Sequence, residues 1–135
     1  MTEEIIIDAT NATLGRLASY SAKQALLGKR VIILNSEKAV VTGRRKFIIE
    51  DYKEKRSWVG ISHKGPFFSR LPEKILKRTI RGMLPDHRTG KGREAFKRIL
   101  CYKGTPEEYK DKKAIKAGKA KKTTYISVEE ISRLM

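Results

Sequence analysis

The stretch that decides the fold is EEIIIDATNATLGRLASYSAKQALLGKRVIIL, residues 3–34. It opens on three consecutive isoleucines, Ile5, Ile6 and Ile7, a β-branched run suited to a strand buried on both faces. DATNAT then supplies turn and cap residues. From Leu14 the apolar or small positions are Leu14, Leu17, Ala18, Ser21, Ala22, Ala25 and Leu26, the i, i+3, i+4, i+7 spacing of an amphipathic helix. Asn11 or Thr13 is the expected N-cap. Gly28 is the expected stop, with Lys29 and Arg30 near the negative end of the helix dipole. VIIL, residues 31–34, reads as a second buried strand. Strand, helix and strand in direct succession form a right-handed βαβ unit, which predicts a doubly wound α/β sheet.

Working outward, VVTGRRKFIIEDYKEK, residues 40–55, predicts a short extended piece, a turn at Thr42 and Gly43, and a second helix. Residues 57–70, SWVGISHKGPFFSR, hold two glycines, a proline and three large aromatics, and read as an irregular loop draped over a surface. A third helix is expected from Pro72, a favourable first-turn residue. Ile75, Leu76, Ile80 and Met83 lie on one side of it, and Lys74, Lys77, Arg78 and Arg81 largely on the other. REAFKRILCYKG predicts a short helix running into a third strand near residues 99–102. A charged, exposed, lysine-rich segment follows at about residues 110–122. TTYIS then reads as a strand, and Ser127 with Glu130 has the spacing of a capping box for a terminal helix. The chain shows neither an internal repeat nor a domain boundary.

A length of 135 residues with 39% hydrophobic content fits one domain with one core. The formal net charge is +16, from 31 Lys and Arg against 15 Asp and Glu. Such a charge opposes compaction unless a polyanion neutralises it. A membrane surface is the poorer candidate. No apolar run reaches about 18 residues, and no helix pairs a bulky aromatic face with a basic one. The single cysteine, Cys101, cannot form an internal disulfide and is compatible with a reducing cytosol. MTEEIIIDAT lacks the basic start and cleavage site of a signal peptide, so a cytoplasmic protein is expected.

Enzymatic chemistry has a natural place in such a sheet, beyond the carboxyl ends of the strands. Asp8 and Asn35 would lie there, and an RNA- or nucleotide-processing site near them is the alternative reading. The nucleotide fingerprints are missing: the first turn has no G-x-G-x-x-G, and Gly90-Lys91 does not sit in a Walker loop. Asp8 reads more simply as a turn or cap residue. Glu50 and Asp51 are adjacent on a helix and do not face one another. His63 and His87 fall in different loops without a Cys or His partner at ligand spacing, so neither metal nor cofactor is implied. Cys101 lies in an apolar strand and reads as a core residue.

The basic clusters carry more. Arg44, Arg45 and Lys46 fall at a helix start, where cations oppose the dipole unless an external anion is bound. Arg16 is on the polar side of the first helix. Residues 81–92, RGMLPDHRTGKG, place a glycine-containing basic loop just after a helix stop, with Arg81, His87, Arg88, Lys91 and Arg93 in or beside it. Residues 110–122 contain seven lysines, among them Lys112, Lys113, Lys121 and Lys122, and one Asp, an electrostatic patch with little sequence specificity. Trp58, Phe67 and Phe68 can stack on unpaired bases or tuck onto the core; their sequence does not choose.

DATNATLGRLAS, GKRVIILNSEKAVVTGRR and RGMLPDHRTGKGREAFKRILCYKGTPEEY together resemble the universal L-thirteen family of large-subunit ribosomal proteins. The resemblance covers most of residues 5–110. The short link from Gly28 and Lys29 into the second strand is similar to the archaeal and eukaryotic form. The resemblance implies a three-layer α/β/α domain with a four-stranded, mainly parallel sheet. It implies a non-enzymatic structural constituent of the large ribosomal subunit that binds large-subunit rRNA and acts early in subunit assembly. Implied partners are neighbouring large-subunit proteins, the third among them, and an mRNA in a regulatory role. On this reading the anion at residues 81–92 is rRNA backbone. Gly90 and Gly92 would then let the main chain come close, and Arg81, Arg88, Lys91 and Arg93 would supply charge.

Overall fold

A computed structural model describes residues 3–58, 65–119 and 121–135. Strands β1 (Glu4–Asp8) and β2 (Arg30–Leu34) pair in parallel, with Ile5 beside Val31 and Ile7 beside Ile33. The helix between them, α1 (Leu14–Leu26), buries Leu14, Leu17, Ala18, Ser21, Ala22 and Ala25. That is the series the periodicity predicted, less Leu26, which is exposed. Thr13 occupies the N-cap without a side-chain hydrogen bond. Lys29 and Arg30 lie past the helix and pair with Glu3 and Glu4.

Chain order then gives β3 (Val40–Thr42), α2 (Arg45–Ser57), α3 (Pro72–Gly82), α4 (Gly90–Lys97), β4 (Ile99–Cys101), β5 (Ile115–Lys116), β6 (Tyr125–Ser127) and α5 (Val128–Leu134). The main sheet has the order β4-β2-β1-β5, and each pairing is parallel. Strand pleating sends Ile5, Ile7, Val31, Ile33 and Ile99 into one core with the apolar sides of α1, α3, α4 and α5. Ile6, Ile32 and Leu34 face the other way, against Tyr109, Tyr102 and Leu100. The first face is covered by helices. Among the described residues the second has a 3-10 turn at Glu107–Tyr109 and its flanking loops. Helices, sheet and this thinner cover make the three layers.

TTYIS forms the expected strand, and β6 pairs antiparallel with β3 in a separate two-stranded ribbon. One element differs from the sequence expectation. The fourth strand of the main sheet is β5, inside the lysine-rich segment, where Ile7 sits beside Ile115 and Asp8 beside Lys116. A two-residue edge strand carries no periodicity to detect. Half of the capping box is present: Ser127 Oγ accepts a hydrogen bond from the Glu130 amide at 3.3 Å, so α5 starts where its sequence says, while the Glu130 carboxylate pairs with Arg45.

This division of burial predicts unequal losses. Ile33, fully buried in β2, should cost about 2–5 kcal/mol on truncation to Ala. Ile115, 51% exposed in β5, should cost about 0.5 kcal/mol. Urea unfolding followed by circular dichroism measures both, and equal losses would mean that β5 anchors the sheet.

Candidate nucleic-acid interface

The crevice beyond the carboxyl ends of β1 and β2 is filled by the chain's own polar groups. Asp8 Oδ1 accepts from the Thr10 amide at 3.0 Å, Thr10 Oγ1 at 2.7 Å and Asn35 Nδ2 at 3.1 Å. Thr105 Oγ1 donates to Asn35 Oδ1 at 3.4 Å. The Gly104 amide donates to Glu37 Oε2 at 2.9 Å. Partial burial raises the Asp8 pKa, but the hydrogen bonds from Thr10 and Asn35, helped by the charge of Lys38, outweigh it and hold the carboxyl below its ordinary value. Asp8 therefore stays ionised at neutral pH and ties the end of β1 to the end of β2. It is a turn residue whose Oδ1 holds three hydrogen bonds.

Other candidate reactive groups are similarly placed. Burial pushes the Cys101 thiol up to about 12, against a smaller lowering by Lys77 and a raising by Glu73, so the group stays a neutral thiol in β4. Among the described residues no set of three or more His, Cys, Asp or Glu is grouped to hold a metal ion. His63 lies outside the described residues.

The basic loop is shaped from within. Asp86 Oδ1 accepts from the Arg88 amide at 3.0 Å, and Asp86 Oδ2 from Thr89 Oγ1 at 3.3 Å. This Asx-type turn leads the chain from α3 into α4. Gly92, expected to open the main chain to a phosphate, is instead buried in α4. A Cβ there would overlap the carbonyl oxygens of Pro85 and Asp86 and lie 2.8 Å from the Asp86 carbonyl carbon. Its missing side chain lets the loop fold down onto the helix. Arg88, Lys91 and Arg93 are exposed, and none forms an ion pair among the described residues. The His87 ring lies 6.2 Å, centroid to centroid, from Phe96 of α4.

Phe96 leads from this loop into a groove of about 340 Å³ along the polar side of α3, where Lys74, Lys77, Arg78 and Arg81 meet Phe67 and Phe96. Lys77 Nζ stands 4.9 Å from the centroid of Phe96. The Arg78 guanidinium lies 3.6 Å over Phe68, and its Nη1 donates to the Phe67 carbonyl at 3.0 Å. Burial, with the charge of Arg81 behind it, pulls the Arg78 pKa down. Of the groove's cations and aromatics, the sequence marks Arg81 and Phe67 as candidate contacts. The signal for Lys74, Lys77 and Arg78 was their place off the apolar side of the helix.

A second groove, of about 370 Å³, runs between α1 and the lysine-rich segment. Arg16 and Tyr20 form one side and Ile115, Lys119 and Lys121 the other. Arg16 and Lys121, more than a hundred positions apart in sequence, thus share one site. Gly118 makes this possible. A Cβ on it would overlap the Thr10 carbonyl oxygen and lie 2.7 Å from the Asn11 carbonyl carbon. Next to it, the Ala117 amide donates to the Asp8 carbonyl at 3.3 Å. The remaining sequence candidates join neither groove. Arg44 and Lys46 are exposed at the start of α2, whose first turn holds no acid. Arg45 pairs with Glu130 of α5 at 3.4 Å. Lys112 pairs with Glu4 at 3.4 Å, while Lys113 and Lys122 are exposed.

The whole is a basic α/β domain with a strand-end crevice crossed by its own hydrogen bonds and cations gathered on a loop and in two grooves. Residues 2–108 match the family described as Ribosomal protein L13, and the chain belongs to that family. Its relatives include the large ribosomal subunit protein uL13 of Archaeoglobus fulgidus, 42% identical over 136 residues, covering 96% of this chain and 86% of the relative. The uL13 protein of Methanocaldococcus jannaschii is 44% identical over 131 residues, covering 95% and 94%. That of Methanopyrus kandleri is 50% identical over 104 residues, covering 77% and 64%.

Gly118→Ala tests whether the second groove is built by backbone approach. The added methyl should push the segment off the turn at Thr10, and the Ala117 amide should exchange about tenfold faster or more. The amides of β2 should keep their protection. Unchanged exchange at Ala117 would show that the segment accommodates a Cβ and that the close approach is not required.

Proposed function

We propose that this chain is a structural, non-catalytic constituent of the large ribosomal subunit that binds large-subunit rRNA and acts early in subunit assembly. Membership of the ribosomal protein family and the uL13 names of its archaeal relatives support the setting. One observation supports the ligand: the cations of the 86–93 loop and of the α3 groove have no acidic partners among the described residues. In a chain of net charge +16, such an arrangement is completed by phosphates, which supply affinity and fix orientation.

The proposed contacts are Arg81, His87, Arg88, Lys91 and Arg93 around the loop, and Arg16 with Lys121 in the second groove. Arg44, Lys46, Lys113 and Lys122 are exposed positions that extend the surface. Arg45 and Lys112 contact RNA only where it displaces Glu130 and Glu4. An early place in assembly suits a chain whose described residues bury a core of their own before any partner arrives. Neighbouring large-subunit proteins, the third among them, are the expected protein contacts, and an mRNA is a regulatory one. The enzymatic alternative near Asp8 and Asn35 gains no support from the geometry, because Asp8 is committed to three hydrogen bonds. The described helices include none long and apolar enough to cross a membrane, and the site of action proposed is the ribosome in the cytoplasm.

Arg88, Lys91 and Arg93 changed together to Ala should lower the slope of log K against log salt by about 2–3, at roughly 0.7–0.9 per phosphate contact. The measurement is binding to the rRNA fragment protected by the protein, with circular dichroism as folding control and incorporation into reconstituting subunits as a second readout. A folded triple variant with unchanged slope and unchanged incorporation would place the loop against solvent or protein.

A further inference from the structure

We propose that the groove along α3 is a binding site for an unpaired nucleotide of single-stranded RNA, with Phe67 as the platform on which its base stacks. This rests on the RNA-binding reading above and specifies what form of RNA this part of the surface takes.

The sequence Gly65-Pro66-Phe67-Phe68 presents two adjacent aromatic rings, and the structure gives them opposite fates. Phe68 packs against the core cluster, sits edge-on to Trp58 with ring centroids 6.5 Å apart, and carries the Arg78 guanidinium on its face. Phe67, one position along, is 78% exposed. Alternation along an extended chain sends one ring in and the next out. Phe67 is not a frayed residue, because Arg78 holds its carbonyl at 3.0 Å. The structure thus fixes the backbone under a large apolar ring and leaves the ring itself in water.

What covers such a ring is set by its surroundings. The groove it borders is lined by Lys74, Lys77, Arg78 and Arg81, by Phe96, and, among the described residues, by no carboxylate. Four cations and an exposed aromatic ring match the two parts of a nucleotide, an anionic phosphate and a flat π-face. A duplex offers only the first part: its bases are paired and stacked inside, and its outside is phosphate and sugar. An unpaired base offers both. The groove also continues the proposed phosphate-binding loop, since Phe96 borders the groove and packs beside His87. A strand whose backbone follows Arg88 and Arg81 can deliver a base to Phe67.

The test uses the full-length protein and two probes: a short single-stranded RNA carrying 2-aminopurine at a central position, and the same strand annealed to its complement. Binding is measured across a salt series for wild type, Phe67→Leu and Phe67→Tyr. Phe67 is exposed, so both variants should fold, with circular dichroism as the check. Wild type should bind the single strand more tightly than the duplex and quench the 2-aminopurine fluorescence by stacking. Phe67→Leu should lose about 5- to 100-fold in single-strand affinity and most of the quenching. It should leave duplex affinity and the salt slope unchanged, because no cation is removed. Phe67→Tyr should restore both affinity and quenching.

Unchanged affinity and quenching in Phe67→Leu would overturn the proposal while leaving RNA binding intact, and would make the ring a contact for a neighbouring protein. Equal or tighter binding of the duplex by wild type would overturn it also. Binding of neither RNA by wild type would overturn the RNA-binding reading itself.

Discussion

The parallel pairing of β1 with β2 is the interaction on which the remaining structure depends. Five residue pairs run from Glu4 beside Arg30 to Asp8 beside Leu34. The apolar residues between are buried on both faces of the sheet. A parallel pair needs a crossover, and α1 is as long as that crossover requires. Its seam of Ala18, Ser21, Ala22 and Ala25 keeps the helix close to the sheet. The strand ends are locked by Asp8 and Asn35. From these two ends the chain departs to every basic surface described. β4 extends the sheet beside β2, with α3 and α4 packed on the same face. β5 pairs at the carboxyl end of β1 and brings Lys119 and Lys121 opposite Arg16. A change in register of β1 against β2 would move all of these together, since a slip of one residue exchanges the two faces.

The second constraint is charge. Ion pairs such as Lys55 with Asp51 and Arg98 with Glu94 are partly or fully at the surface, and pairs of that kind contribute about 0–1 kcal/mol each. They do not offset a net charge of +16. The apolar core supplies the stability, and the surface is left poised for a polyanion. The division is visible within single elements. Ile75, Leu76 and Ile80 anchor α3 in the core, while Lys74, Lys77, Arg78 and Arg81 line its groove. The same helix is therefore both a structural member and part of the proposed binding surface, which gives its cations a rigid mount.

The frame was legible in the sequence because it is periodic. The βαβ unit, α1 to within its last residue, the Ser127 N-cap and the stop of α3 ahead of Pro85 all follow from spacing and cap chemistry. β5 was not legible, because two residues among lysines have no period. The pairing of β6 with β3 instead of the main sheet was not legible either, since TTYIS shows a strand but no partner. The roles of Gly92 and Gly118 depend on carbonyl groups brought close by the fold: Pro85 and Asp86 for one, Thr10 for the other. For Trp58, Phe67 and Phe68 the sequence left stacking and core packing open, and the structure divides the pair, with Phe68 toward the core and Phe67 toward solvent. The convergence of Arg16 with Lys121 belongs to the same class, being a tertiary contact between distant segments.

In the proposed function, an α/β frame presents RNA-binding cations on a loop and two grooves while its strand-end crevice serves structure alone. A residue-resolved map of protein–RNA cross-links in purified large ribosomal subunits containing this chain tests it most directly. Cross-links should cluster at residues 86–93, along the polar side of α3 including Phe67, and at Arg16 and Lys121. None should fall at Asp8, Asn35 or Glu37. Cross-links concentrated at the Asp8–Asn35 crevice, with the loop and both grooves free of RNA, would contradict it.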